Sequence, residues 1–394
     1  VVCEKPLAAE LEDARALAEK AAASDPLDLI PRVVLALKDE ASMKQFVDQA
    51  QWFVGEYDFE IMETCFAFTD LGMNTEASQI LQGAYLDAVP EREQSPLPLY
   101  LAARLQAVQG DEKAAMKYLK EAAKKSSDYV FPSHSEMIDT MGLDVLGYAI
   151  EKNPKDAKAH LYRGNLTGAL GALDEAVMDW KKAAELDPAL SVAFRNLGLV
   201  EWKKTGDLAG AEAYYHKAIK ARPEDQTLYR DLSQILLQNQ QRPQAIALIE
   251  KMPRKGLRGD LIEILSQAYV DEKEYGKAID LLSSAYFSNW EGRTMSHHVF
   301  TRAHLERGKQ EMESQKYAEA WEDFSAALTY PDFLGVGRPA EPAEAEALFW
   351  KGKALAALGR NEDARAAWIQ GTQSLNNSGH EKRFIEQCQE ALGK

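Results

Sequence analysis

The chain has 394 residues, a formal net charge of −16 and 46% hydrophobic residues, which suits two or three compact domains or one long solenoid. The acidic balance argues against a nucleic-acid partner, whose phosphates need clustered Lys and Arg, and it disfavours anionic membrane surfaces. The negative charge either keeps the protein soluble or reflects a preference for basic or neutral partners.

Residues 1–26 are predicted to form an N-terminal helix or junction. Ala14, Ala18 and Ala21 recur at the spacing of one helical face, and Pro26 follows them. The second helices of helix pairs further along the chain show the same spacing. We therefore interpret the segment as a helix without a catalytic role.

The same segment carries a second pattern in Glu4, Lys5 and Pro6. Residues 1–22 resemble the strand-to-helix piece of the Gfo/Idh/MocA oxidoreductases, in which a Glu-Lys-Pro turn ends a strand beside the nicotinamide. The resemblance implies that Lys5 lies near a substrate and that its two neighbours shape the turn. No GxGxxG fingerprint precedes these residues, so the sequence offers no dinucleotide site to accompany them.

Residues 27–154 are predicted to be irregular, degenerate helix pairs. Within them, residues 96–123 place Ala103, Gly110 and Ala115 at the offsets of a complete pair. Residues 132–150 are predicted to form a longer helix that stops before the Asn-Pro dipeptide at 153 and 154.

Residues 155–287 are predicted to be an array in which one helix pair repeats. The first helix has a face of small residues and ends at a glycine, and the second alternates small residues with one large ring before a proline. In the clearest copy these residues are His160, Gly164, Thr167, Gly171, Ala176, Trp180, Ala183 and Pro188. The same order returns at 191–223 and, in degenerate form, at 226–252 and 261–286.

These offsets resemble the tetratricopeptide repeat, a helix pair of about 34 residues. The resemblance implies an all-α fold, a right-handed α-solenoid of stacked pairs whose first helices line a concave groove. It also implies that the chain is a non-catalytic scaffold that binds a protein or peptide along that groove.

The candidate groove residues lie at the first-helix positions that the repeat turns toward a partner. They are Lys158, Asn165, Arg195, Asn196, Leu199, Trp202, Lys203 and Arg230. Among them, Arg195, Asn196 and Lys203 can bind a peptide backbone or a carboxylate through charge-assisted hydrogen bonds. The alternative is an ordinary solvated face.

Residues 288–394 are predicted to be a C-terminal repeat pair with a long loop and a capping helix. In the capping helix, residues 379–392, Gln387 and Glu390 are expected to face solvent.

The long loop, Tyr330–Pro339, exceeds what the connection requires, and such loops often carry function. Its apolar residues Phe333, Leu334 and Val336 either dock on a neighbouring domain or fold back onto their own repeat. We expect Trp290 and Arg293, in the turn before the preceding helix, to lie near this loop.

A narrower resemblance covers about residues 155–375 and is best from 288 to 370, where it includes SNWEGR at 288–293, Lys316–Pro339 and the repeat Glu344–Trp368. These stretches are similar to the C-terminal repeat region of large uncharacterised bacterial proteins with a β-rich, sugar-enzyme-like N-terminal part. The resemblance implies an alternative function, an accessory or oligomerisation module of a larger carbohydrate-active enzyme. Its partner would then be a catalytic domain, outside this chain, of the same polypeptide or complex.

No catalytic pattern such as GxSxG, HExxH or a P-loop occurs in the sequence. The densest histidines are His297, His298 and His304, but the second points away from the others and the third occupies a packing position. We therefore predict no enzyme activity, no metal site and no cofactor for this chain.

The sequence also predicts a cytoplasmic location without membrane insertion. No run reaches the about 18–20 apolar residues that span a bilayer, and no signal sequence opens the chain. The chain has only three cysteines, and they are widely spaced: Cys3, Cys65 and Cys388. This pattern fits free thiols in a reducing compartment better than a disulfide framework. Because the chain starts at Val1 without a Met, we expect a processed or excised piece.

Overall fold

The structure is a computed structural model of the chain. It describes residues 39–46, 58–125, 139–288, 294–376 and 378–393, with scattered helical positions between 16 and 36. These residues form helices and turns, and none of them is in a β-strand. The predicted all-α fold is confirmed. The chain divides into two compact units, residues 1–200 and residues 201–394.

Unit 1 is built from short helices that pack on their neighbours along the chain. They are α1 (Asp58–Asp70), α2 (Asn74–Leu81), α3 (Pro96–Val108), α4 (Glu112–Lys124), α5 (Asp139–Lys152), α6 (Ala157–Ala169), α7 (Leu173–Leu186) and α8 (Ser191–Val200). The helix α2 continues into a π-helical turn, Gln82–Leu86.

Unit 2 opens with a π-helical turn, Glu201–Thr205, and continues the pairwise packing. Its helices are α9 (Leu208–Ala221), α10 (Gln226–Gln238), α11 (Arg242–Glu250), α12 (Gly259–Asp271), α13 (Tyr275–Ser283), α14 (Met295–Glu313), α15 (Tyr317–Ala326), α16 (Ala345–Ala357), α17 (Asn361–Thr372) and α18 (Gly379–Ala391). A single 3₁₀ turn, Asp332–Leu334, lies between α15 and α16.

The turn inside each pair uses a residue in the left-handed region. In α3–α4 and α6–α7 this residue is Gly110 or Gly171, each with φ of 86°, which glycine adopts without steric cost. The degenerate pairs and α14–α15 lack the glycine. There Gln240, Lys273 and Gln315 adopt φ of 58°, 63° and 59°, at a cost of about 1 kcal/mol each.

The predicted pairing of a small residue with a large ring is confirmed where the two helices cross. A Cβ atom on Gly164 would lie 2.8 Å from the Trp180 ring, and one on Gly308 would lie 2.7 Å from the Phe324 ring. Only glycine therefore lets these helices approach so closely.

Each unit has its own hydrophobic core. In unit 1 it includes the fully buried rings of Tyr85 and Tyr100, and in unit 2 it includes Leu282, Phe300 and Leu334.

Candidate functional site

In unit 1, α6 and α8 are the first helices of consecutive pairs, and together they form what we call the first-helix face of this unit. Asn165 Oδ1 on α6 accepts hydrogen bonds from Asn196 Nδ2 on α8 and from Trp180 Nε1, both at 2.8 Å. Because indole nitrogen only donates, this contact fixes which way the Asn165 amide points. The other two amide atoms, Asn165 Nδ2 and Asn196 Oδ1, have no partner among the described residues. These two atoms are one amide donor and one amide acceptor, on side chains that are hydrogen-bonded to each other.

The other residues predicted on this face differ in how free their side chains are to contact a partner protein. Lys158 Nζ donates to the carbonyl of Ala123 in the last turn of α4, at 2.6 Å, and burial lowers the pKa of Lys158. Its ammonium group already satisfies a helix end. Arg195 and Leu199 are half-buried on α8, next to the amide pair along the helix.

The predicted residues of unit 2 are held by close neighbours. Trp202 Nε1 donates to Gln238 Oε1 at 2.7 Å, and Lys203 Nζ lies 3.2 Å from the centre of the Trp202 ring. Arg230 Nε donates to Asp231 at 2.9 Å, so its guanidinium is largely committed within the unit.

Among the residues that the structure describes, each unit has one buried His-Asp-Arg cluster, of which sequence reasoning found only the histidine. In unit 1, Asp179 Oδ1 lies 2.7 Å from His160 Nδ1, and Asp179 Oδ2 accepts from Arg163 Nε at 2.7 Å. Burial raises the pKa of Asp179, but these hydrogen bonds outweigh it and hold the pKa below its usual value. The cluster ties the two helices of a pair together and is structural.

The second cluster repeats this geometry between α14 and α15. Asp323 Oδ1 lies 2.7 Å from His304 Nδ1, and Asp323 Oδ2 accepts from Arg307 Nε at 2.6 Å. Both clusters could have been predicted from the sequence. In each copy the motif His-x-x-Arg-Gly is followed, at the same spacing, by an aspartate and an aromatic residue. His304 is therefore a packing residue, as expected.

The long loop packs into the core of its own unit. Leu334 is fully buried, and its carbonyl accepts from Ser296 Oγ at 2.8 Å. The Phe287 amide donates to the Phe333 carbonyl at 2.8 Å, and the half-buried Phe333 ring packs on the same core. Of the two alternatives for Phe333 and Leu334, these contacts match the one in which the loop folds back.

The three other residues assigned to this docking segment have different outcomes. Val336, within the loop, is half-buried. Trp290 and Arg293 lie outside the described residues, so their expected position stays a prediction.

A further surface in unit 2 was not predicted as a site. It is formed by α14, α16 and α18, and we call it the first-helix face of unit 2. The carboxylate of Glu346 on α16 joins the three helices, because its oxygens accept from Lys309 Nζ on α14 and from His380 Nε2 on α18, each at 2.7 Å.

The capping helix α18 packs on α16 in the way that the first helix of a further repeat would. The prediction for Gln387 was wrong for this reason: the side chain is half-buried, and its Oε1 is buried without a hydrogen-bond partner. Glu390 is exposed, as expected.

Within the described ranges, no three His, Cys, Asp or Glu side chains converge to hold a metal ion. None of the helices described above is both long and apolar enough to cross a membrane. Cys65 and Cys388 are buried free thiols, and burial raises the pKa of both, to about 11 for Cys388.

Helix pairs with small residues at their crossings and a shared face of first helices define a helical-repeat protein. Two segments, residues 204–259 and residues 305–378, match family models that are both described as tetratricopeptide repeat. These segments are tetratricopeptide repeats, and the prediction of this repeat is confirmed.

One relative is the Hsp70-Hsp90 organizing protein 1 of Glycine max, which is 36% identical over 80 residues. The alignment covers 20% of this chain and 14% of the relative, so the chain spans a small part of that protein.

Among solved structures, the chain is similar to one described as Naa15/Naa10 bound to HypK-THB, with 17% identity and a TM-score of 0.43, covering 64% of this chain and 37% of that chain. It is also similar to the TPR domain of P58(IPK), with 15% identity and a TM-score of 0.27, covering 85% of this chain and 98% of that chain. The repeat assignment rests on the family models and on the helix pairs themselves.

The two other resemblances are not supported by these comparisons. None of the matches given above is to a bacterial protein with a β-rich, sugar-enzyme-like part or to a Gfo/Idh/MocA oxidoreductase. The segment Glu4-Lys5-Pro6 also lies outside the described residues.

Proposed function

We propose that this chain is a non-catalytic scaffold that binds a protein or peptide partner on its first-helix faces. The observation that carries the proposal is the amide pair of Asn165 and Asn196 on α6 and α8. An extended peptide presents alternating N–H and C=O groups, and an amide donor together with an amide acceptor complements them without reading a particular sequence.

The pair is also preorganised. Trp180 Nε1 and Asn196 Nδ2 both donate to Asn165 Oδ1, so the two amides are held before a partner arrives. Rigid groups lose little conformational entropy on binding, which raises affinity for a given set of contacts. Arg195, next to Asn196 on α8, places a cation near the same position along the helix.

The kind of partner follows from charge and from the relative. A net charge of −16 opposes the phosphates of nucleic acids, so the partner is a protein or peptide. The name of the Glycine max relative describes an organizer of two other proteins, and this supports a role in protein interaction.

The proposal is tested by the double variant Arg195→Glu with Asn196→Ala. We expect it to weaken partner capture from an extract of the native host by about tenfold or more, because it removes hydrogen bonds and reverses one charge. Quantitative mass spectrometry of the captured proteins gives the measurement.

The matched control is Met178→Glu, which also adds a negative charge, but at a side chain that is 71% exposed on α7. The helical content of all three proteins is measured as well. If it is unchanged and all three capture the partner equally, the partner does not bind on the first-helix face of unit 1.

A further inference from the structure

We infer that a pocket on the first-helix face of unit 2 receives an arginine side chain from a basic segment of the partner. The pocket has a volume of about 450 Å³ and is lined by residues of α16 and α18 and by Trp368 of α17. This volume is in the range of pockets that hold a ligand. The inference rests on the proposed function, since it names the chemistry of a partner bound at these faces.

The walls of the pocket are aromatic and apolar. Phe349 of α16 and Trp368 of α17 line it together with Ala356 and Ala391. Trp368 Nε1 donates to the backbone carbonyl of Phe349 at 3.1 Å, which fixes the indole ring in place. Aromatic faces attract cations, and a planar guanidinium stacks on them while its methylene stem packs against apolar wall atoms.

The charged group that α18 contributes to the pocket is an acceptor. Glu390 lines the pocket with an exposed carboxylate that has no ion-pair partner in the described part of the chain. Gln387 lines the pocket too, through a side chain that is half-buried. An exposed carboxylate forms its strongest hydrogen bonds with charged donors, so a cationic guest with N–H groups complements Glu390. A guanidinium carries five of them in a fixed fork.

One lining residue opposes a cation, and its position explains how a cation still fits. Lys353 Nζ lies 4.9 Å from the centre of the Trp350 ring and 5.6 Å from that of Phe349, so the ammonium group already rests against aromatic rings of its own helix. Its charge weakens the binding of arginine without blocking the Glu390 carboxylate on α18. A carboxylate guest would instead prefer Lys353 and be repelled by Glu390.

Charge over longer distances favours the same guest. The chain carries −16 overall, which draws basic segments toward it and repels acidic ones. An arginine within a basic segment is therefore attracted both by the residues that line the pocket and by the negative charge of the whole chain.

The test uses calorimetric titration of the full chain with three short peptides, acetyl-Gly-Ala-Leu-X-Leu-Ala-Gly-amide, where X is arginine, citrulline or glutamate. Citrulline keeps the shape of arginine but has no charge. We expect the arginine peptide to bind at least about tenfold more tightly than the citrulline peptide, and the glutamate peptide to bind most weakly.

Two variants at exposed positions assign the effect to the pocket. Glu390→Gln is expected to reduce the affinity for the arginine peptide to near that for the citrulline peptide. Lys353→Gln is expected to raise the affinity for the arginine peptide severalfold, because it removes the opposing charge.

Several outcomes would overturn the inference. Tighter binding of the glutamate peptide, or weaker arginine binding in Lys353→Gln, would mean that the pocket takes a carboxylate. Equal affinities, or no binding of any peptide, would mean that it does not recognise arginine. If the arginine peptide still binds to Glu390→Gln but not to Asn196→Ala, arginine does not bind in this pocket. That result would leave the proposed function intact. Failure of the proposed function shows separately, as unchanged capture by the double variant of unit 1.

Discussion

Replacing Glu311 with glutamine should stabilise the protein at alkaline pH and leave it nearly unchanged at acidic pH. Glu311 lies in the last turns of α14, and its Oε2 is buried without a hydrogen-bond partner. Burial and the nearby charge of Asp323 raise the pKa of Glu311 from its ordinary 4.5 to about 7. The neutral carboxyl is therefore the form that the folded protein prefers.

The sign follows from comparing the two states. Because the pKa is higher in the folded protein than in the unfolded chain, Glu311 is tolerated fully below pH 4.5, and stability is lost as pH rises through about 7. The full shift corresponds to about 3.4 kcal/mol, at about 1.36 kcal/mol for each pH unit. The side chain is partly exposed, so solvent screens the repulsion and we expect about 1–2 kcal/mol.

Glutamine has the shape of the protonated glutamate and cannot ionise. Urea unfolding of Glu311→Gln and wild type should therefore differ by about 1–2 kcal/mol at pH 8 and by only a few tenths at pH 4.5. The control is Glu313→Gln, which neutralises an exposed glutamate of the same helix and should have little effect at either pH. An equal effect of Glu311→Gln at both pH values, or none at pH 8, would refute the reasoning.

Three further changes have expected effects on the free energy of unfolding, each measured by urea denaturation at pH 7. Gly308→Ala should cost about 1–3 kcal/mol because its Cβ would meet the Phe324 ring, whereas Gly147→Ala, with no atom within 4 Å, should be neutral or stabilise by up to about 1 kcal/mol. A cost for Gly147→Ala equal to that of Gly308→Ala would contradict this. Asp179→Asn should cost about 2–4 kcal/mol because it removes the buried charge that its His and Arg partners share, and a cost below about 0.5 kcal/mol would show that the cluster is dispensable. Leu334→Ala should cost about 2–4 kcal/mol if the loop belongs to the core, while a surface loop would lose almost nothing.

Much of the fold followed from local chemistry. A glycine at a tight turn, such as Gly171, and a glycine facing a ring, such as Gly164 against Trp180, mark both ends of a pair at fixed spacing. Lys273 and Gln315 take the turn position with a strained φ, and no residue preference reveals such a turn in the sequence.

The site was harder to predict because it depends on contacts between helices distant in sequence. Asn165 and Asn196 were both predicted to line the first-helix groove, but the hydrogen bond between them across α6 and α8 was not predicted. The pocket of unit 2 was missed because α18 was expected to present Gln387 to solvent. The contacts that hold α18 on α16 include the hydrogen bond between Glu346 and His380, which joins residues 34 apart in the sequence.

The most direct measurement of partner binding places a photo-crosslinking amino acid, p-benzoylphenylalanine, at position 199 or at position 178 and irradiates the protein in its native host. Leu199 lies on the first-helix face of unit 1, and Met178 is exposed on α7. The proposed scaffold function predicts a discrete crosslinked protein from position 199, lost when Asn196→Ala is added, and none from position 178. Crosslinks of equal yield from both positions, or from position 178 only, would contradict it.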